Sequence, residues 1–175
     1  MNVLLHVCCG ICAAGAAERL MAEGHSVTGY FYNPNIYPQE EYQLRLAAAK
    51  KVADELGFEL IEGPYDAKEW DDAVRMYRDE PEGGKRCVEC FRVRLQKTFL
   101  SLPASGCDVF TSTLTISPHK SAAVVNAVGS EIGRENWLVR DFKKKDGFNR
   151  ANLLSKQWGL YRQNYCGCIY SKIAD

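Results

Sequence analysis

Short apolar runs alternate with longer stretches of helical periodicity along the chain. Residues 3–8 and 27–32 are apolar almost without interruption, as the central strands of a parallel sheet are. The stretches between such runs have the spacing of amphipathic helices. This alternation is typical of βα units, so we predict an α/β protein. Its expected architecture is a Rossmann-like open parallel sheet of about five strands flanked by helices.

The same patterns place each predicted element on the chain. The predicted strands are residues 3–8, 27–32, 58–63, 108–114 and 137–142. The predicted helices are residues 13–23, 39–56, 67–78, 87–100 and 121–132, with a last helical stretch after Asn149. Gly24 and Gly57 directly follow two of these helices, where glycine is a preferred C-cap residue.

Length, composition and charge indicate one domain without a strong global field. The 175 residues lie in the range of a single domain, and without a linker-like tract we expect residues 1–175 to form one catalytic domain. The formal net charge is zero, so binding to a polyanion would depend on a local basic patch. Because the N-terminus does not resemble a signal peptide and no apolar run reaches about 18 residues, we expect a cytoplasmic protein without membrane contact.

The cysteine content points to metal chemistry. A cytoplasmic protein keeps its thiols reduced, so eight cysteines indicate metal binding or thiol chemistry more than disulfides. Ligands of open α/β sheets bind at the carboxyl ends of strands, which is where we place the metal site. Cys107 stands alone at the start of a predicted strand and is expected to be a core thiol. The other seven cysteines form three groups: Cys8, Cys9 and Cys12; Cys87 and Cys90; Cys166 and Cys168.

Seven thiols exceed the four that one zinc ion or one four-iron cluster takes. The simplest assignment is a [4Fe-4S] cluster beside a second metal that is held by three thiolates and keeps an open position. Because adjacent strand residues point to opposite faces, Cys8 and Cys9 are expected to serve different metals. A structural zinc knuckle or two core thiols are the alternatives for the pair Cys87 and Cys90. The predicted cluster ligands are Cys9, Cys87, Cys90 and Cys168, and those of the second metal are Cys8, Cys12 and Cys166.

Motifs in five parts of the chain, in order from residue 6 to residue 168, match a known family. They are residues 6–12, residues 31–36 with Glu41, Tyr42 and Arg45, residues 87–90, residues 113–114 with 117–120, and residues 161–168. Together they resemble the QueH family of cobalamin-independent epoxyqueuosine reductases. The pair Gly10 and Ile11 departs from this resemblance, since Ala-Pro is expected there.

The resemblance implies a reaction and its cofactors. The expected reaction is the reductive deoxygenation of epoxyqueuosine to queuosine at the wobble position of tRNA, the last step of queuosine biosynthesis. A [4Fe-4S] cluster is expected to supply electrons, and an adjacent iron to bind the epoxide oxygen. The partner is therefore tRNA, and the external electron donor is not identified. Some members of the family have an acidic residue in place of Cys12, which favours ligation of the lone iron by this residue.

Deoxygenation also requires protons, and few residues are candidate donors. With Cys12, the predicted catalytic residues are His6, Tyr165 and His119, the last three as proton sources. A structural role is the alternative for each of them.

Six polar or aromatic residues in the motifs are predicted to bind the substrate. Asn33 and its neighbours could hydrogen-bond to or stack on the modified base, although a plain Pro-Asn turn explains them too. The residues around Pro118 could form an anion site for a phosphate, and an ordinary helix cap is the alternative. The predicted set is Tyr32, Asn33, Asn35, Ser117, Lys120 and Arg162.

Two other groups of charges have simple explanations. Glu41 and Arg45 are four residues apart in a predicted helix, so they are expected to pair, at a few tenths of a kcal/mol. A basic run could contact the tRNA backbone, but a solvated loop is the default interpretation. This run contains Arg140, Lys143, Lys144, Lys145 and Arg150.

Two other functions are compatible with parts of the sequence. The first is a zinc-stabilised nucleic-acid-binding module, which would use the cysteines only for structure. The second is a nucleotide-dependent tRNA-modifying enzyme on a similar sheet. That class needs a phosphate-binding loop after the first strand, where this chain has residues 8–12 instead.

Overall fold

A parallel sheet forms the centre of the protein. In residues 1–172, the part of the chain that the computed structural model describes, this sheet has four strands. They are β1 (Asn2–His6), β2 (Ser26–Phe31), β3 (Glu59–Glu62) and β4 (Val109–Ser112). Their order is β3-β2-β1-β4, and every neighbouring pair is parallel. The α/β prediction is thus confirmed, with four strands where about five were expected.

The strand order reverses at β1. Val3 of β1 pairs with Val27 of β2 on one side and with Val109 of β4 on the other. The chain therefore first builds the sheet toward β3 and later returns to add β4 at the opposite edge of β1. Such a reversal leaves a crevice at the carboxyl ends of the two diverging strands, here β1 and β4.

The fifth predicted strand, residues 137–142, does not form a ladder. Trp137 makes only an isolated bridge to Phe110, and the amide of Leu138 donates to the Phe110 carbonyl at 2.9 Å. The side chain of Asn126 then takes over as the partner of Arg140: its Nδ2 donates to the Arg140 carbonyl at 2.9 Å, and its Oδ1 accepts from the Arg140 amide at 3.3 Å. A side-chain amide thus replaces the neighbouring strand, which no backbone periodicity reveals.

Helices cover both faces of the sheet. They are α1 (Gly10–Ala22), α2 (Gln39–Leu56), α3 (Ala67–Val74), α4 (Lys85–Ser105), α5 (Ala122–Gly133), α6 (Gly147–Gln157) and α7 (Ile169–Lys172). Short 3-10 turns follow α3, β4 and α5 at Arg75–Tyr77, Thr113–Ile116 and Arg134–Asn136. Within residues 1–172, every helix is too short or too polar to be a candidate for crossing a membrane.

Most predicted helices form, with different ends. The bounds of α2 agree with the prediction, and Gly57 ends it in the left-handed conformation at φ 73°. In contrast, α1 begins at Gly10, three residues earlier than predicted, so Cys9 is its N-cap and Cys12 lies in its first turn. A Cβ on Gly10 would lie 2.8 Å from the backbone carbon of Ala48, so α1 and α2 approach too closely there for a larger residue. Helix α4 extends past its predicted bounds at both ends.

Two apolar clusters pack on opposite faces of the sheet. Leu5 points into the cluster that contains residues of α1, α2 and α6, and Leu4 points into the cluster that contains residues of α4 and α5. Both leucines are fully buried, because alternate residues of a central strand face opposite layers. This double burial fixes the position of β1 and therefore of the cysteines that follow it.

Candidate functional site

The reversal point between β1 and β4 opens into a cavity of about 480 Å³. Cys8, just after β1, and Leu114, just after β4, line it. The segment before α7 closes another side with Tyr165 and Cys166. The predicted location of the site, at the carboxyl ends of the strands, therefore coincides with this cavity.

Cys8, Cys9 and Cys12 form the first thiol group. Their sulfur atoms all lie within 4.8 Å of one another, and those of Cys8 and Cys9 are 3.9 Å apart. Four thiolates around one ion at about 2.3 Å would be separated by about 3.8 Å, so this group has the spacing of ligands to a single metal. The expectation that Cys8 and Cys9 point apart is wrong, because strand geometry ends at His6.

A second thiol group lines an adjoining cavity of about 240 Å³. Cys87 and Cys90 lie in the first turns of α4, and the sulfur atoms of Cys166 and Cys168 are 3.6 Å apart in the segment before α7. Cys166 lines both cavities, so the two groups are neighbours. The seven grouped cysteines thus meet in one region although more than 150 residues separate the first from the last.

Cys107 is separate from this region. It precedes β4 and therefore lies at the amino end of the sheet, where it is half-buried against the apolar cluster of α4 and α5. The prediction of a buried core thiol agrees with this packing, although Cys107 keeps part of its surface exposed.

The cysteines at the C-terminal end are held in place by a buried arginine. Arg45 of α2 pairs with Glu41 at 2.7 Å and donates to the carbonyl oxygens of Cys166 at 3.0 Å and Tyr165 at 2.9 Å. Gly167, at φ +115°, lies against this guanidinium, and a Cβ there would be 3.0 Å from Nη1. The expected Glu41–Arg45 pair exists, and it also fixes a loop that is distant in sequence.

Each thiol group contains one cysteine that favours the thiolate. Hydrogen bonds from the Cys12 and Cys9 thiols, helped by the charge of Lys120, hold the pKa of Cys8 well below its ordinary value. The Cys168 thiol, with the Ser171 hydroxyl, lowers the pKa of Cys166 to about 4. The pKa of Cys12 and of Cys168 is raised in turn by the same hydrogen bonds. Because metals bind the thiolate, each group offers one cysteine already in the form that ligates.

Six of the residues predicted to bind the substrate or to donate protons line the larger cavity. They are Asn35, Ser117, His119, Lys120, Arg162 and Tyr165. Asn35 is 4% exposed, and its Oδ1 has no hydrogen-bond partner among the described residues. His119 is exposed at the cavity, whereas the Tyr165 hydroxyl donates to the Tyr37 carbonyl. Burial, with the charge of Glu41, raises the pKa of Tyr165 to about 12.

His6 lies behind the cavity wall and has a structural environment. It is fully buried, with Nε2 3.1 Å from the Tyr32 carbonyl and Nδ1 2.9 Å from the Ser112 hydroxyl. Nε2 must therefore carry the proton, and Nδ1 accepts from Ser112, which itself accepts from the Leu114 amide. Burial and the nearby Arg94 lower the pKa of His6 to about 4. Its neutral ring links β1 to the ends of β2 and β4, and His6 lines neither of the two cavities.

Tyr32 and Asn33 are likewise directed into the protein. The Tyr32 hydroxyl donates to Glu69 at 3.1 Å, and its ring is fully buried. Asn33 Nδ2 donates to the Val7 carbonyl at 2.8 Å, and Oδ1 accepts from Arg94 at 3.4 Å. The structure therefore brings Asn35, but not these two residues, to the cavity; they fix the turn that presents Asn35.

Several residues of the site have no clear signal in the sequence. Arg94 is buried and lines both cavities, one helical turn after Cys90, whose carbonyl it contacts at 3.3 Å. The four-residue spacing from a predicted metal ligand was the available signal. Trp70 and Arg86 line the smaller cavity, and nothing in their local patterns distinguishes them from core and surface residues.

Lys143, the first lysine of the basic run, points inward. Its Nζ donates to the carbonyl oxygens of Thr115 at 2.8 Å, Lys120 at 3.0 Å and Ser117 at 3.3 Å. It therefore holds the loop that carries His119 and Lys120 into the cavity. The other lysines of the run, Lys144 and Lys145, are exposed, and Arg140 and Arg150 pair with Glu23 and Glu18.

Known proteins resemble the chain over nearly its whole length. The family model described as "Epoxyqueuosine reductase QueH" matches residues 3–174. A protein named Epoxyqueuosine reductase QueH from Streptococcus pyogenes serotype M1 is 37% identical over 179 residues, covering 97% of this chain and 70% of the relative. A protein of the same name from Thermotoga maritima is 36% identical over 178 residues, covering 97% of this chain and 90% of the relative. The chain therefore belongs to the QueH family of epoxyqueuosine reductases.

Proposed function

We propose that this protein removes the epoxide oxygen of epoxyqueuosine in tRNA, with two electrons and two protons, to give the alkene of queuosine and water. The observation that carries the proposal is the meeting of seven thiols beside an open cavity at the reversal point of the sheet. Membership of the epoxyqueuosine reductase family supplies the substrate. An external reductant must supply the electrons.

The donor set fits a [4Fe-4S] cluster and one additional iron. A four-iron cluster takes four thiolates, and the smaller cavity is lined by four cysteines. Three further thiols within 4.8 Å of one another suit an ion that keeps an open position. When bound, these groups supply single electrons and a Lewis acid for the epoxide oxygen.

The division of the ligands can be stated as two testable alternatives. The sequence prediction gives Cys9 to the cluster and Cys166 to the lone iron. The spatial grouping supports the exchange of these two residues, since Cys9 lies with Cys8 and Cys12, whereas Cys166 lies beside Cys168. Both alternatives agree on Cys87, Cys90 and Cys168 for the cluster and on Cys8 and Cys12 for the iron.

The polar groups of the larger cavity are suited to orient the substrate. Asn35 offers an unpartnered buried oxygen as an acceptor for a hydroxyl group or an amine of the modified base. Lys120 and Arg162 place positive charge at the same cavity, where an RNA phosphate can bind. Ser117 joins them there from the loop that Lys143 holds.

His119 is the proton source that the geometry supports best. It lines both cavities and its ring is exposed, so it can reach both solvent and a bound substrate. Tyr165 lines the larger cavity as well, but its hydroxyl hydrogen is directed to the Tyr37 carbonyl and its pKa is raised to about 12. His6, neutral and enclosed, acts as a brace of the sheet.

Turnover and cluster content of two cysteine variants test this function. The assay uses anaerobically purified protein, a chemical reductant and an RNA hairpin that contains epoxyqueuosine. Cys12→Ala is expected to abolish turnover while most of the visible iron-sulfur absorbance remains. Cys107→Ala, the matched control outside the site, should keep both. Loss of the whole cluster in Cys12→Ala would contradict the division of ligands, and a wild-type protein without turnover on this RNA would contradict the proposed function.

A further inference from the structure

Two residues that line the smaller cavity carry buried N–H groups that lack an acceptor. Trp70 Nε1 and Arg86 Nε have no hydrogen-bond partner among residues 1–172, and both residues line the cavity. The residues are 3% and 5% exposed. An unsatisfied buried donor is destabilising, and native proteins contain few of them. Two such donors in one thiol-lined cavity therefore indicate an acceptor that binds there.

Trp70 belongs to the wall that the cysteines form. Its side chain packs in one apolar cluster with Cys90, Cys168 and Val74. Helix α3 presents it, with the Asp66 side chain capping that helix through the amides of Lys68 and Glu69. The position of the indole is thus set by a capped helix and by packing in the cluster that contains Cys90 and Cys168.

Contacts of other atoms in the Arg86 side chain hold this residue in place. Its Nη1 donates to the carbonyl oxygens of Arg78, at 2.8 Å, and Glu80, and the guanidinium lies 5.0 Å from the centre of the Tyr170 ring. These contacts hold the group in place without using Nε. The protein therefore holds the side chain in place, while the Nε–H group remains free to donate to a ligand of the cavity.

The protein itself does not supply the missing acceptor. Asn35 Oδ1 lines the same cavity, but it too lacks a partner in the described part of the chain, so neither donor is directed to it. The other side-chain acceptors that line this cavity are those of Glu82, His119 and Ser121 and the sulfur atoms of Cys87, Cys90, Cys166 and Cys168. Among these residues, Cys90 and Cys168 share a packed cluster with Trp70, and Cys166 packs against that cluster. Sulfur that belongs to a metal cluster carries more negative charge than a thiol and is the stronger acceptor.

We propose that the Trp70 indole N–H donates a hydrogen bond to a sulfur atom of the cluster held in this cavity and thereby raises its reduction potential. The inference rests on the proposed function, since it requires the cluster. Reduction adds an electron to the cluster, so a donor stabilises the reduced state more than the oxidised state. Arg86, with its positive charge beside the same four cysteines, acts in the same direction.

A conservative substitution isolates the indole N–H. Trp70→Phe keeps an aromatic ring against Cys90 and Cys168 but removes the donor. In a spectroelectrochemical titration we expect the ratio of reduced to oxidised cluster at a fixed potential to fall about fivefold, the effect of one hydrogen bond of about 1 kcal/mol. For a one-electron couple this corresponds to a shift of about 40 mV to lower potential. Iron and sulfide content should be unchanged.

Trp158→Phe is the matched control. Trp158 is half-buried and packs against the apolar cluster of α1, α2 and α6, on the other face of the sheet. Its replacement should leave the potential unchanged. Equal potentials for loaded wild-type and Trp70→Phe proteins would overturn the inference and leave the proposed function intact. A wild-type protein that binds no iron-sulfur cluster would instead refute the proposed function.

A measurement on the wild-type protein covers the case in which Trp70→Phe does not assemble its cluster. Protein labelled with 15N at the indole nitrogen is reduced and studied by electron-nuclear double resonance before and after exchange into D2O. We expect an exchangeable proton and a 15N nucleus coupled to the cluster. The absence of both couplings in the reduced protein would rule out the hydrogen bond.

Discussion

At the scale of single residues, the site depends on side chains whose role extends beyond their neighbours in sequence. The spacing of Glu41 and Arg45 predicts their pair, which the structure contains at 2.7 Å. It does not predict that the same guanidinium binds two carbonyl oxygens about 120 residues away. Those contacts depend on the position of the loop that contains Tyr165 and Cys166, and helix periodicity contains no information about that position.

Removal of the Arg45 charge should therefore destabilise the protein more than the loss of an ordinary ion pair within a helix does. In Arg45→Gln, Glu41 stays buried with the Tyr161 hydroxyl but without its charged partner, and the carbonyls of Tyr165 and Cys166 lose their donors. We expect the free energy of unfolding to fall by about 3 kcal/mol, as for other broken buried pairs. Denaturant unfolding of the metal-free, reduced protein measures it.

Lys50→Gln provides the comparison. Lys50 pairs with Glu62 at 3.3 Å, but this pair is exposed, so its loss should cost less than about 1 kcal/mol. An Arg45→Gln effect as small as that of Lys50→Gln would show that Arg45 is only a surface partner of Glu41.

His119 is the residue at which the proton source can be tested. His119→Gln keeps a polar side chain at the cavity but cannot transfer a proton in the same way. We expect turnover to fall about 100-fold, within the range of general acid catalysis, while iron and sulfide content stay constant. Single-turnover kinetics with epoxyqueuosine-containing RNA give the rate.

His25→Gln is the control for this substitution, because His25 lies at the start of β2, at the opposite end of the sheet from the cavity. It should be as active as the wild type. Full activity in His119→Gln together with a strong loss of activity in Tyr165→Phe would show that Tyr165, and not His119, is the proton source.

At the scale of elements, the sequence predicts those whose formation depends on their own periodicity. Helix α2 has the predicted bounds, β3 and β4 lie within predicted strands, and β1 and β2 each begin one residue before theirs. The failure at residues 137–142 has a different origin, since the side chain of Asn126 satisfies the backbone of Arg140 in place of a strand. The early start of α1 at Gly10 depends on close packing against Ala48, which is a tertiary contact.

The loop between Thr115 and Lys120 provides the prediction at this scale. Lys143→Met removes the ammonium group that donates hydrogen bonds to three carbonyl oxygens of this loop. Hydrogen bonds to charged groups contribute about 1.5–3 kcal/mol, so we expect the loop to lose its position and KM for the RNA to rise about tenfold. The cluster content should not change, because the loop contains no cysteine.

Lys144→Met has the same loss of charge at the next position, on an exposed side chain. If the basic run acts only as a positive surface, both variants will raise KM equally and weaken its salt dependence equally. If Lys143 acts through the loop, its variant alone will show the large effect.

At the scale of the whole molecule, the convergence of the cysteines could be predicted and their grouping could not. The cysteine count, the turn after β1 and the family motifs all indicated one metal site at the carboxyl ends of the strands. The grouping of Cys9 with Cys8, and of Cys166 with Cys168, depends on the geometry of turns outside regular elements. The inward direction of Tyr32 and Asn33 could not be predicted for the same reason, because it is set by the turn after β2.

The central claim is that these thiols hold iron as a sulfide-containing cluster with one additional ion. Quantification of iron, zinc and acid-labile sulfide in the anaerobically purified full chain, with Mössbauer spectroscopy of the 57Fe-labelled protein, tests it most directly. We predict one more iron than sulfide in each chain, and a Mössbauer component for a single iron beside that of a four-iron cluster. Protein that contains zinc and no acid-labile sulfide would contradict the account.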